Sequence, residues 1–94
     1  MLRIRFRPEA ETEYDEAMRW YQEQKAGLED MLCVDESLQR IRRNPQMYPI
    51  VFRNLRRAVV KRFPFVILYE VAEEELKVFS IFHSRRNPDI WQSR

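Results

Sequence analysis

Three strand-like segments stand almost end to end in the second half of the chain: RRAVVKRF at 56–63, FVILYEV at 65–71 and ELKVFSIFH at 75–83. Only Pro64 and then Ala72-Glu73-Glu74 separate them. A parallel pair needs a long crossover, so neighbours this close pair as an antiparallel meander. Phe65, Ile67 and Tyr69 alternate with Val66 and Leu68, leaving neither face of the middle segment polar. That segment is expected at the centre of a sheet covered on at least part of both faces.

The first half supplies the cover. Leu2, Ile4 and Phe6 alternate with Arg3, Arg5 and Arg7, which predicts a first strand over 2–7 with one buried face and one wet, basic face. Pro8 suits a helix start, and the carboxylates of EAETEYDE suit the positive end of its dipole. Ala10, Tyr14, Ala17 or Met18, and Tyr21 recur at helical spacing, predicting a helix over about 9–24. QKAGLED is a short turn. Leu28, Met31, Val34, Leu38 and Ile41 then mark a second amphipathic helix that ends in Arg40, Arg42 and Arg43 and stops at Asn44-Pro45. NPQMYPIVFRN reads as a proline-punctuated connection. The expected fold class is α+β, in the order β-α-α-β-β-β, with a helical hairpin packed on one face of a small antiparallel sheet. At 94 residues, one domain over 1–94 is expected.

Several chemistries are excluded early. With one glycine, Gly27, the chain has no glycine-rich phosphate loop. One cysteine, Cys33, and one histidine, His83, provide neither an internal disulfide nor spaced zinc ligands, so no metal or cofactor is expected. Cys33 falls beside the apolar stripe of the second helix with no adjacent base, against a nucleophilic role. The longest apolar run, Phe65 to Tyr69, is far short of a membrane span, and Met1 to Arg5 lacks the apolar core of a signal peptide. A cytoplasmic protein with no membrane association is expected.

Charge is uneven: residues 1–49 carry eight basic and ten acidic side chains, and 50–94 carry nine basic and five acidic. Arg56, Arg57, Lys61 and Arg62 flank a short strand with aromatic neighbours, a pattern that suits phosphate tracking or charge protection of a sheet edge. His83 ends the last strand, with Arg85 two residues on and Arg86 beside it. An imidazole there is a candidate general acid or base, with a guanidinium to hold phosphate; the alternative is a hydrogen-bonded structural histidine. Glu9, Glu11, Glu13, Asp15 and Glu16 scatter round the first helix and read as a solvated face. Trp20 and Trp91 either close the core or anchor a partner.

EAMRWYQEQKAGL, LQRIRRNPQMYP, RRAVVKRFPFVILYEV and FHSRRNP, in this order and spacing, resemble the RelE/ParE superfamily of toxins from type II toxin–antitoxin systems, over nearly the whole chain. The resemblance implies the α+β fold above and a cognate antitoxin that wraps and neutralises the toxin as a hetero-oligomer. It implies two mechanisms. ParE-like members inhibit DNA gyrase and need no hydrolytic site. Ribosome-dependent members cut messenger RNA in the A site with basic residues and no metal; here Arg57, Lys61, His83 and Arg85 would be catalytic, and Arg56, Arg62, Arg86 and Trp91 would contact target or nucleic acid. Those cutters commonly place an arginine two residues into the middle strand, where this chain has Val66, and a tyrosine where it has Trp91, whose indole is only a donor. The gyrase-directed, plasmid-stabilisation branch is therefore the expected one. An inactive relative that still binds an antitoxin is a third reading.

Overall fold

A computed structural model describes residues 2–25, 27–60 and 65–84. Strand β1 (Arg3–Phe6) leads into helix α1 (Pro8–Glu23); a short helix α2 (Leu28–Met31) and helix α3 (Cys33–Arg43) follow, then a 3-10 turn (Pro45–Met47). The chain continues through β2 (Ile50–Phe52), β3 (Leu55–Val59), β4 (Phe65–Ala72) and β5 (Glu75–His83). The sheet order is β1-β5-β4-β3-β2, which places β4 at the centre, as its two apolar faces require.

Strands β3 to β5 form the expected antiparallel meander and β2 adds a further antiparallel strand to it, but β1 pairs with β5 in parallel, Arg3 opposite Glu75 through Phe6 opposite Val78. The purely antiparallel sheet is corrected at that one ladder. The helices between β1 and the meander supply the crossover that parallel pairing requires. A second correction is β2 itself, which falls within the segment read as a connection. Three residues after Pro49, with Ile50 and Val51 exposed, give too little alternation to register as a strand.

α1 starts with Pro8 in its first turn and Glu9 and Glu11 near its positive end. It buries Ala10, Ala17 and Tyr21 against the sheet, and α3 buries Val34, Leu38 and Ile41. The second helix is interrupted at Leu32, yet Leu32 keeps right-handed torsions (φ −83°, ψ −6°) and accepts the Glu36 N–H at 2.9 Å. Leu28, expected on the buried stripe, is 72% exposed at the hairpin tip.

Facing these helices, β4 presents Phe65, Ile67 and Tyr69, joined by Ala58, Leu76, Val78 and Ile81 in one core. On the other face Val66, Leu68 and Phe82 form a second, smaller cluster with Phe79 against it. Two phenols tie elements together, one helix to helix and one sheet to 3-10 turn. Tyr14 on α1 donates to Asp35 Oδ1 on α3 at 2.7 Å, and Tyr69 donates to the Pro45 carbonyl at 2.6 Å. Burial first, then the bond to Asp35, pushes the Tyr14 phenol up to about 12. Burial likewise pushes Tyr69 up to about 12, against the opposing effect of Arg56. Phenols in the unfolded chain titrate near 10, so the stability carried by the neutral folded phenols is intact below that pH and lost as pH rises from about 10 towards 12. Chemical denaturation across this window is expected to show a steeper alkaline loss in the native protein than in Tyr14→Phe/Tyr69→Phe; equal slopes would contradict it.

The β4–β5 hairpin turns through Glu73 (φ 55°) and Glu74 (φ 62°), two left-handed residues without glycine's freedom. Two-residue turns of this kind favour Asn-Gly, and left-handed torsions cost an L side chain about 1–2 kcal/mol per residue. Glu73→Asn with Glu74→Gly is expected to raise stability by about 1 kcal/mol after glycine's greater unfolded-state entropy is offset. Thermal melting checks this; an unchanged or lowered Tm would show that the turn is not strained.

Candidate functional site

His83 is the last residue of β5 and lies opposite Phe65 in the β4 ladder. Its face is set by an irregularity upstream. Tyr69 pairs with Val78 while Leu68 pairs with Ser80, so Phe79 is the extra residue of a β-bulge. Strict alternation from Leu76 and Val78 would put Phe82 towards the helices and His83 away from them. After the bulge, Ile81 joins the helix-side core, Phe82 joins the opposite cluster, and His83 turns towards α1. There its ring meets Trp20 and Phe65 edge to face, with centroids 5.8 and 5.5 Å away. Trp20 and Phe65 are in turn 5.4 Å apart, also edge to face. The three rings are mutually packed, and Trp20 closes the core as well as walling the site.

Glu13 completes this corner. β1 ends opposite Val78, and the Arg7 N–H gives the last bond on that side, to the Val78 carbonyl at 3.0 Å. Beyond it β5 has lost its strand neighbour, and a helix side chain replaces it. Glu13 Oε1 accepts the Ile81 N–H at 3.2 Å and the Ser80 hydroxyl at 3.1 Å. Glu13 therefore departs from the solvated acidic face expected for the first helix; Glu9, Glu11, Asp15 and Glu16 are exposed, in keeping with it. Glu13, Glu16, Trp20, Phe65 and His83 line a recess of about 80 Å³.

The basic candidates lie elsewhere. Arg57 is exposed on β3, opposite Leu68 in the ladder, and so on the sheet face away from the helices. The structure does not bring it together with His83. Arg56 alternates to the helix side, where Nη1 donates to the Tyr48 carbonyl at 2.6 Å and to the Gln46 carbonyl at 3.3 Å, pinning the 3-10 turn to β3. Val66 faces away from the helices and is buried. Lys61, Arg62, Arg85, Arg86 and Trp91 lie outside the described residues. Among the described residues, no group of three or more His, Cys, Asp or Glu side chains could hold a metal ion, and no helix is long and apolar enough to cross a membrane.

Two features escaped the sequence reading. A groove of about 710 Å³ runs along β1 and β5, where Arg5, Arg7 and Lys77 meet Phe6 and Phe79, with the Arg7 guanidinium 4.3 Å from the Phe79 ring centre. Its signal was the basic alternation of Arg3, Arg5 and Arg7. Glu13 gave no signal, because its role depends on where β1 stops.

Residues 4–88 match the family model described as ParE toxin of type II toxin–antitoxin system, parDE. Among solved structures, a chain of the chromosomal ParDE toxin–antitoxin system from P. aeruginosa superimposes with a TM-score of 0.73 at 18% identity, covering 88% of this chain and 96% of that one. That likeness shows the same fold. The search of curated proteins gave no significant match. With the family model spanning nearly the full sequence, the chain belongs to the ParE toxin family of type II toxin–antitoxin systems.

Proposed function

We propose that the protein is a cytoplasmic toxin that arrests growth by inhibiting DNA gyrase and is neutralised by a cognate antitoxin bound to it in a hetero-oligomer. Membership of the ParE family implies the antitoxin partner. The observation that favours gyrase over RNA cleavage is that the two described residues of the candidate nuclease set, Arg57 and His83, lie on opposite faces of the sheet. Metal-free cleavage of a phosphodiester needs a base, an acid and a cationic stabiliser within reach of one reacting phosphate. His83 instead sits among Trp20, Phe65 and the Glu13 corner, which suits a structural role. Val66 supports the same reading, since it offers no charge where the ribosome-dependent cutters carry arginine.

Induced expression without the antitoxin is expected to stop growth while translated messages stay intact. Co-expression of the antitoxin should restore growth, and His83→Ala should still arrest it if the variant remains folded by circular dichroism. Site-specific cuts in translated messages that disappear in folded His83→Ala would contradict this reading and favour a ribosome-dependent endoribonuclease. Growth unaffected by the soluble native protein would favour an inactive, antitoxin-binding relative.

A further inference from the structure

β1 and β5 set two cations side by side on the sheet face away from the helices: Arg5 stands opposite Lys77 in the parallel ladder. Like charges directly opposite each other destabilise a ladder, and a bound anion offsets that repulsion. Lys77 also stands opposite Glu70 on β4, yet among the described residues it makes no ion pair. Arg5 reaches Glu75 at 3.5 Å with a side chain that is 70% exposed, a contact too wet to hold it in place. Beside them the Arg7 guanidinium lies 4.3 Å from the centre of the Phe79 ring, and a pairing with Glu9 at 3.1 Å steadies it there. Arg7 is exposed, so its outer face is a flat cationic platform. Phe79 is the extra residue of the β-bulge, and bulges recur beside functional sites, where they re-aim a side chain. These residues line the groove of about 710 Å³, within the ~300–1,000 Å³ typical of small-ligand sites. We propose that the groove binds a nucleoside polyphosphate, its phosphates held by Arg5 and Lys77 and its base stacked on the Arg7 guanidinium.

Complementarity selects this occupant over the others. The lining sets Arg5, Arg7 and Lys77 against the carboxylates of Glu11 and Glu70, so a run of several negative charges is favoured over a single one. Inorganic phosphate would use Arg5 and Lys77 but leave the Arg7 platform empty. A nucleic-acid strand needs cations that continue along its path. Past Phe79 the face turns apolar with Val66, Leu68 and Phe82, and the next described cation in that direction, Arg57, stands opposite Leu68. One base and one short chain of phosphates match what the groove offers: a planar surface to stack on, with two adjacent cations beside it. The inference goes beyond the gyrase reading and does not depend on it.

The test is equilibrium dialysis of the folded protein with radiolabelled ATP, competed by unlabelled tripolyphosphate, adenosine and a single-stranded octanucleotide. ATP is expected to bind at least about tenfold more tightly than tripolyphosphate or adenosine, because stacking and phosphate contacts both contribute. Arg5→Gln/Lys77→Gln is expected to weaken ATP and tripolyphosphate alike by about tenfold or more. Phe79→Leu keeps apolar bulk against Val66, Leu68 and Phe82 but removes the ring under Arg7. It is expected to weaken ATP by about fivefold or more and to leave tripolyphosphate unchanged. Arg40→Glu, exposed on α3 in the helix layer, changes the net charge as much as the double variant and should leave ATP binding intact. Should the double variant fail to fold by circular dichroism, Arg5→Gln alone, at an exposed position, carries the test with about a threefold loss. No ATP binding, tripolyphosphate binding as tight as ATP, an octanucleotide that binds more tightly than ATP, or equal loss in Arg40→Glu would each overturn the proposal.

Discussion

Ile67→Ala is expected to lower the unfolding free energy by about 2–5 kcal/mol. Ile67 is fully buried on the central strand, between Ala58 on β3 and Ile81 on β5, and faces the helices. Truncation there removes apolar contact and leaves a cavity that both neighbouring strands restrain from collapsing. In a domain of this size each kcal/mol moves Tm by about 4–8 °C, so a fall of about 10 °C or more is expected. Val59→Ala is the matched control: Val59 is 58% exposed, and its loss should cost no more than about 0.5 kcal/mol. Comparable losses at the two positions would mean that the core does not lie between the helices and β4.

Glu13→Leu is the second large effect, and it acts through hydrogen bonds. The Glu13 carboxylate accepts from the Ser80 hydroxyl at 3.1 and 3.3 Å and from the Ile81 amide at 3.2 Å. Ser80 is fully buried, so water has little access to replace the lost acceptor. A buried donor left unsatisfied costs about 1–3 kcal/mol, and two such donors are at stake. A total of about 2–4 kcal/mol is expected from denaturant unfolding, less than the sum of two full penalties because leucine adds apolar burial. Glu13→Gln keeps one acceptor oxygen and should lose less than half of this. Equal damage from Gln and Leu would assign the effect to charge rather than to the acceptor.

What the sequence disclosed and what it concealed follow from how local each signal is. The meander was legible because short connections leave only one way to pair, and Phe65 to Tyr69 announced a central strand by lacking a polar face. The parallel union of β1 with β5 was not, since it depends on where the helices deliver β1 and leaves no mark on either strand. β2 was hidden by its length and by the exposure of Ile50 and Val51. Positive φ at Glu73 and Glu74 runs against turn chemistry, so the hairpin was readable only from the strands around it.

The candidate site shows the same division. His83 was placed correctly at the end of a strand, but its side of the sheet was not legible, because one extra residue at Phe79 reverses the alternation beyond it. That reversal carries His83 to Trp20 and Glu13 and away from Arg57. Arg56 and Arg57 looked equivalent in sequence; adjacent positions on a strand face opposite ways, so one became a tie to the Tyr48 and Gln46 carbonyls and the other an exposed cation.

The most direct measurement is supercoiling of relaxed plasmid by purified gyrase, titrated with this protein alone and with its antitoxin already bound. Inhibition or trapped cleavage that the antitoxin reverses, and that persists in folded His83→Ala, is the expected result. Full supercoiling at a large molar excess of folded, antitoxin-free protein would contradict it.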